Sequence, residues 1–219
     1  MKQVHAAGAA LVAPGTPISL RQARAIAATI ARDTSADPAP LGMLGFGVTT
    51  LLLDLQHAGF VAKGSLCLAV GIAFGGLAQL VAGFMEWRKK NTFGTVAFVA
   101  YGLFWLSLAA LLVAPRLGLS AAADRTGMAA YLFVWGLFTV VMSIATVRMS
   151  RAVMGVFFAL TILFFLLAFA DATGSATLER VAGVEGILCG LGAVYVGAAQ
   201  VLNEVFGRTV LPLGALDDG

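Results

Sequence analysis

Apolar residues in this chain come in six long runs, at 41–55, 66–85, 93–114, 128–147, 152–170 and 181–202, each closed by charges, by Gly or Pro, or by an Asn–Thr pair. A helix that crosses a bilayer needs about 20 predominantly apolar residues, and in lipid its backbone polar groups must bond within the segment. The pattern therefore predicts an all-α membrane protein with six transmembrane helices joined by short loops. The first run is short for a straight span. It either thins the bilayer locally or begins with the extended lead Asp37-Pro38-Ala39-Pro40. Ahead of the spans, Ser19 can cap a short amphipathic helix over 19–32, with Leu20, Ala23, Ile26 and Ile30 near one stripe. Residues 1–36 read as a largely flexible tail, and 213–219 as a disordered one.

Composition agrees with the pattern. The 219 residues are 60% hydrophobic and 11% charged, with a mean hydropathy of +0.94, where a soluble domain carries roughly 25% charged residues. A net charge of +3 is too small, and too concentrated at span ends, for a nucleic-acid surface. It does orient the chain. Ten basic residues (Lys2, Arg21, Arg24, Arg32, Arg88, Lys89, Lys90, Arg148, Arg151 and Arg208) fall on the side of the termini and four (Lys63, Arg116, Arg125 and Arg180) on the other, which predicts cytoplasmic termini. The Ala- and Gly-rich opening over 1–13 is not read as a cleavable signal. Cys67 and Cys189 sit alone in apolar runs and read as packing residues. No nucleotide, dinucleotide or zinc motif occurs, and His5 and His57 leave no basis for a nucleophilic triad. Neither an enzyme nor a bound cofactor or metal is expected.

Chemistry must then come from small and polar residues inside the spans. Gly71 with Gly75, and Gly186 with Gly190, have the spacing of close helix contacts. In the lead, Pro40 suits a first helical turn, and the amides of Leu41, Gly42 and Met43 are expected to lie free at a positive helix end. Gly42, Gly45 and Gly47 would admit either a neighbouring helix or a small anion, though Asp37 weakens any anion trap. Gln79 and Glu86 share a helix face, with Gly83 opening space between them, and lead to Arg88-Lys89-Lys90. They form either a polar stripe along a wet path or, for Glu86, an interfacial pair with a base. Asn91 and Thr92 are expected to cap the third span and offer amides to the same mouth. Tyr101 and Trp105 stand four apart on one face, as packing or as a gate.

These blocks together resemble the acetate uptake transporters, also called succinate–acetate permeases. Residues 37–42 are similar to that family's Asn-Pro-Ala-Pro-Leu-Gly signature, in which Pro38, Pro40, Leu41 and Gly42 match, and Phe46-Gly47-Val48-Thr49-Thr50 continues it. Further matches are 75–79, Glu86 with 91–94, Tyr101-Gly102 with Phe104-Trp105, and 202–212. The resemblance covers about 37–214. It implies a pore-containing six-helix transport domain over 37–212, assembled as a homohexamer in the bacterial inner membrane, with an acetate path in each protomer. It implies a constriction of Phe46, Tyr101 and Leu160, and polar positions along the substrate path at Thr49, Gln79, Glu86, Asn91 and Thr92. Partners would be acetate or a similar monocarboxylate, protons if the protein is a symporter, and membrane lipid. Asp37 replaces the signature Asn. Asp54, Gln56 and His57 stand where bacterial relatives favour Asn, His and Asn, and Gln200 where they carry an acid.

The expected mechanism is an apolar waist between polar mouths. Desolvating a bare carboxylate there is very costly, so either polar groups reach the waist or neutral acid crosses it. Tyr101 is expected to offer its hydroxyl, with Thr49, Gln79 and Asn91 as donors on either side, while Phe46 and Leu160 set the aperture. His57 is read as a pH sensor or as a loop residue without a role. Two rivals stand beside this: a channel for ammonia or another small neutral solute, and a non-transporting structural or signalling protein.

Overall fold

The structure, a computed structural model, describes residues 19, 21 and 35–215. The chain divides into Met1–Ala36 and Asp37–Gly219, and the second unit holds every span. The helix expected over 19–32 lies largely outside the described residues.

Six helices are long and apolar enough to cross a membrane: α1 Ala39–His57, α2 Ser65–Arg88, α3 Thr92–Val113, α4 Arg125–Thr146, α5 Arg151–Thr173 and α6 Ala176–Phe206. The protein is all-α in these residues and crosses the membrane repeatedly. α2 is composite: its middle, Gly71–Ala78, is a π-helix between α-helical stretches. Starts follow capping chemistry. Asn91, Asp124, Ser150 and Ser175 each accept from the backbone N–H three residues on, satisfying one orphan donor of α3, α4, α5 and α6. α5 and α6 end at Gly174 and Gly207, whose φ of 64° and 61° suit residues without a Cβ. α1 gains its full length because Pro38 and Pro40 initiate it and because its polar last turns are covered by neighbours rather than lipid.

α1 packs between α6 and α2, α2 lies on α3, α4 on α5 and α5 on α6, while α3 and α4 touch lightly, so the helices close into a ring. The closest seam joins α1 to α6. Added methyl groups at Gly183 and Gly186 would overlap Ala58 and Asp54, and one at Gly190 would lie 2.8 Å from the Leu51 amide nitrogen. One at Gly47 would lie 2.7 Å from that of Val194. Without a hydrophobic drive between helices in lipid, such close approach is what holds them together. Inside the ring, Phe46, Tyr101, Phe104, Phe157, Leu160 and Phe164 belong to one apolar core. Outside, residues such as Phe84, Trp87, Val141 and Leu188 are exposed, as the lipid-facing surface of a membrane bundle requires.

After α6 the chain folds back across the face that carries the termini of this unit. Asn203 accepts from the amides of Val210 and Leu211 and donates to the Leu211 carbonyl, and Tyr195 donates to the Pro212 carbonyl. Leu213 and Gly214 then accept from the first-turn amides of α5 at Ala152 and Arg151, so bonded structure continues past Pro212.

Candidate pore

The start of α1 differs from its sequence reading. The Pro38 carbonyl accepts from both Leu41 and Gly42, at 3.1 and 3.3 Å, and Asp37 Oδ1 accepts from Ala39 at 3.1 Å. Those amides are not free for an anion, because the ordinary closing of the first helical turn consumes them. The Asp37 carboxylate here takes the part an Asn carbonyl oxygen would. The three glycines are packing seats. A methyl at Gly42 would overlap the Phe98 ring, and one at Gly45 would lie 2.7 Å from the Phe74 carbonyl. Gly83 likewise does not open a polar stripe, since Val99 of α3 fills the space beside it.

Phe46 and Tyr101 meet with ring centroids 6.2 Å apart, and Tyr101 also lies beside Phe138, Trp135 and Phe157. Leu160, one helical turn beyond Phe157, is buried in the same core. The Tyr101 hydroxyl is already engaged: it donates to Thr139 Oγ1 of α4 at 3.0 Å. Thr49, fully buried between Gly45 and Gly75, donates to the Gly45 carbonyl at 2.7 Å rather than inward. A buried hydroxyl in a helix satisfies itself on the preceding turn when nothing better is present. Trp105 packs on α2, where a methyl at Gly75 would sit 2.8 Å from its ring. Gln79 is buried beside Gly45 with its Oε1 unpartnered.

On the terminal side of this core lies a cavity of about 50 Å³ lined by Met43, Glu86, Asn91, Phe93, Phe157 and Gln200, among others. Glu86 is buried against Gly94 and accepts from Asn91 Nδ2 at 2.8 Å, while its other oxygen and Gln200 Oε1 are buried without partners. Asn91 also caps α3 through Gly94. Its amide is thus committed to Glu86 and its carbonyl to the helix, and Thr92 beside it is exposed. Gln79 sits against Gly45 of α1, and Glu86, two turns on, lies against Gly94 of α3 and lines the cavity with Ala39 and Met43 of α1.

At the opposite face two cavities share His57 as a wall. One, of about 300 Å³, also has Gln56, Lys63, Trp105 and Arg116; the other, of about 270 Å³, has Arg125, Asp171, Ser175 and Glu179. Lys63 pairs with Glu179, and His57 Nδ1 meets Asp54 Oδ1 at 2.9 Å. Sequence reasoning did not bring in Thr139, Phe138, Phe157, Asp171 or Glu185, and it used Arg125 only to orient the chain. Most lie inside apolar runs and become visible only once α4, α5 and α6 close the ring. The acids Asp171 and Glu185 were legible as intramembrane charges.

The model of the GPR1/FUN34/yaaH family matches residues 21–216. A protein of Methanothermobacter thermautotrophicus is 54% identical over 82% of this chain and 92% of its own length. The succinate-acetate/proton symporter SatP of Escherichia coli is 49% identical over 82% of this chain and 95% of its own. The ammonia transport outward protein 2 of Saccharomyces cerevisiae is 37% identical over 77% of this chain and 62% of its own. The solved structure of the bacterial acetate channel SatP superposes with a TM-score of 0.82 at 48% identity, over 83% of this chain and all of that one.

Proposed function

The chain belongs to the GPR1/FUN34/yaaH family, and from that premise we propose that it passes acetate and related small carboxylates through the middle of its six-helix ring. The observation that carries the reading is the succession along the bundle: a small, largely apolar cavity whose lining includes Glu86, Asn91 and Gln200, an aromatic core around Tyr101, then cavities walled by His57, Arg125 and Arg116. Phe46, Tyr101 and Leu160 serve as the constriction. Its Tyr101 hydroxyl faces Thr139 rather than the path, so the waist favours the neutral acid over the bare anion, whose desolvation is far costlier. Arg125, Arg116 and Lys63 attract carboxylates to one mouth.

In the same proposal, protons accompany the substrate, both termini face the cytoplasm of an inner membrane, and protomers assemble as a homohexamer through the exposed apolar faces of the bundle. No catalytic step is assigned. Labelled acetate uptake into liposomes that contain the purified protein tests the reading. Uptake above that of protein-free liposomes, competed by propionate and succinate, is expected; no uptake above the protein-free level overturns it. The relationship to the yeast ammonia transport protein makes ammonium a necessary competitor. Loss of acetate selectivity in its presence would favour a neutral-solute channel.

A further inference from the structure

Asp54 is a carboxylic acid shut away from water near the end of a membrane span. It is 1% exposed in the last turns of α1. One oxygen meets His57, and the other, Oδ2, is buried without a hydrogen-bond partner. The carboxyl lies flat on Gly186 of α6, where a methyl group would overlap it. Glu185, the residue beside that glycine, buries its own Oε2 without a partner. Two carboxylates so placed repel each other in a poorly screened setting. A proton on either removes one charge and turns an orphaned acceptor into a donor.

His57 supplies a route for that proton. Its side chain is 19% exposed, it bonds Asp54, and it lines both cavities of the face opposite the termini. An imidazole has a nitrogen on each side of its ring, so it can accept a proton at one and give one up at the other. Along α1, Phe46, Thr50, Asp54 and His57 follow one another at helical spacing, so the acid lies between the aromatic core and the mouth. The titratable groups that interact electrostatically with Asp54 are Glu185 and Cys189 from α6, Cys67 from α2 and His57 from its own helix, which also bonds it. Asp171 of α5 acts on His57 and is itself surrounded by Glu179, Lys63 and Arg125.

We propose that Asp54 and Glu185, with His57, form a proton-binding site between α1 and α6 that is loaded from the mouth opposite the termini. Its purpose rests on the transport reading above. A carboxylate arriving at the site takes the proton from the Asp54 carboxyl: the O–H bond on Asp54 breaks and one forms on the substrate, which continues across the waist as the neutral acid. Asp54, now a carboxylate, regains a proton from mouth water through His57.

The test has two arms, both on the full chain in lipid. Infrared spectra through a pH titration follow the carbonyl stretch of protonated carboxyl groups in the parent protein, Asp54→Asn and Glu185→Gln. The expected result is a titrating band that is lost in Asp54→Asn and displaced in pH in Glu185→Gln. An unchanged band and titration in both variants overturns the site. In the second arm, acetate influx is measured with and without an inward proton gradient. The gradient should accelerate influx in the parent and no longer do so in Asp54→Asn, with size-exclusion chromatography of the variant showing that it still folds. Gradient stimulation retained in Asp54→Asn also overturns the proposal. If the parent carries no acetate at all, the transport reading falls and the infrared arm alone decides the site.

Discussion

Tyr101 of α3 donates its hydroxyl hydrogen to Thr139 Oγ1 of α4 at 3.0 Å, and Thr139 in turn donates to the Trp135 carbonyl at 2.8 Å. This relay crosses the seam where the helix ring is thinnest, since α3 and α4 touch lightly. It also commits the one hydroxyl of the proposed constriction to α4, so that Phe46 and Tyr101 meet ring to ring.

The two ends of that bond are not equivalent. Tyr101→Phe leaves Thr139 still bonded to Trp135 and should cost about 1 kcal/mol, whereas Thr139→Val strands a buried phenol and should cost about 1–3 kcal/mol. Thermal unfolding in detergent should rank Thr139→Val as the less stable variant. The reverse order would show that the hydroxyl is not satisfied by Thr139.

Truncating the proposed constriction should change what passes. Phe46→Ala and Leu160→Ala remove core volume at a cost of roughly 2–5 kcal/mol each, and should raise acetate flux or admit bulkier carboxylates. Uptake is compared at equal folded protein. Unchanged flux and selectivity in both variants would move the gate elsewhere.

Glycine positions separate cleanly by their surroundings. Gly183→Ala would drive a methyl into the Ala58 backbone, whereas a methyl at Gly155 of α5 meets nothing within 4 Å. The first should sharply reduce monodisperse protein on size-exclusion chromatography. The second should be neutral or stabilising by up to about 1 kcal/mol, the helix preference of Ala over Gly.

Asn91 does two jobs that substitutions can divide. Asn91→Ala removes the α3 cap and the only hydrogen bond to the Glu86 carboxyl among the described residues, and should lose about 0.5–2 kcal/mol from the cap alone. Asn91→Ser keeps a capping oxygen but not the amide, so it should recover most of the stability. If acetate uptake stays depressed in Asn91→Ser, the Glu86 contact matters for passage rather than for folding.

Span number, loop positions and the start of α3 were legible because they rest on local chemistry: apolar run length, and the capping side chain of Asn91. Span ends were not. α1 was read as 41–55 but continues to His57, because Asp54 and Gln56 look like interface residues in a sequence and are in fact buried against α2 and α6. α6 was read as 181–202 but runs Ala176–Phe206, its first and last turns carrying charges that a hydropathy scan trims. The amides expected free at Leu41 and Gly42 failed for a different reason: whether a first-turn N–H is open depends on where the preceding carbonyl points, which no side chain specifies. The same holds for hydroxyls. Thr49 and Tyr101 were legible as polar groups in apolar surroundings, but their bonds to Gly45 and Thr139 are set by tertiary placement.

The π-helical middle of α2 is where this span can change length by one residue. An α-helix turns about 100° per residue, and a wider turn takes up an extra residue locally. Deleting a single residue between Gly71 and Ala78 would tighten that stretch toward an α-helix and leave Ser65–Val70 and Gln79–Arg88 facing the neighbours they face now, a form of variation that aligned side chains alone would not reveal.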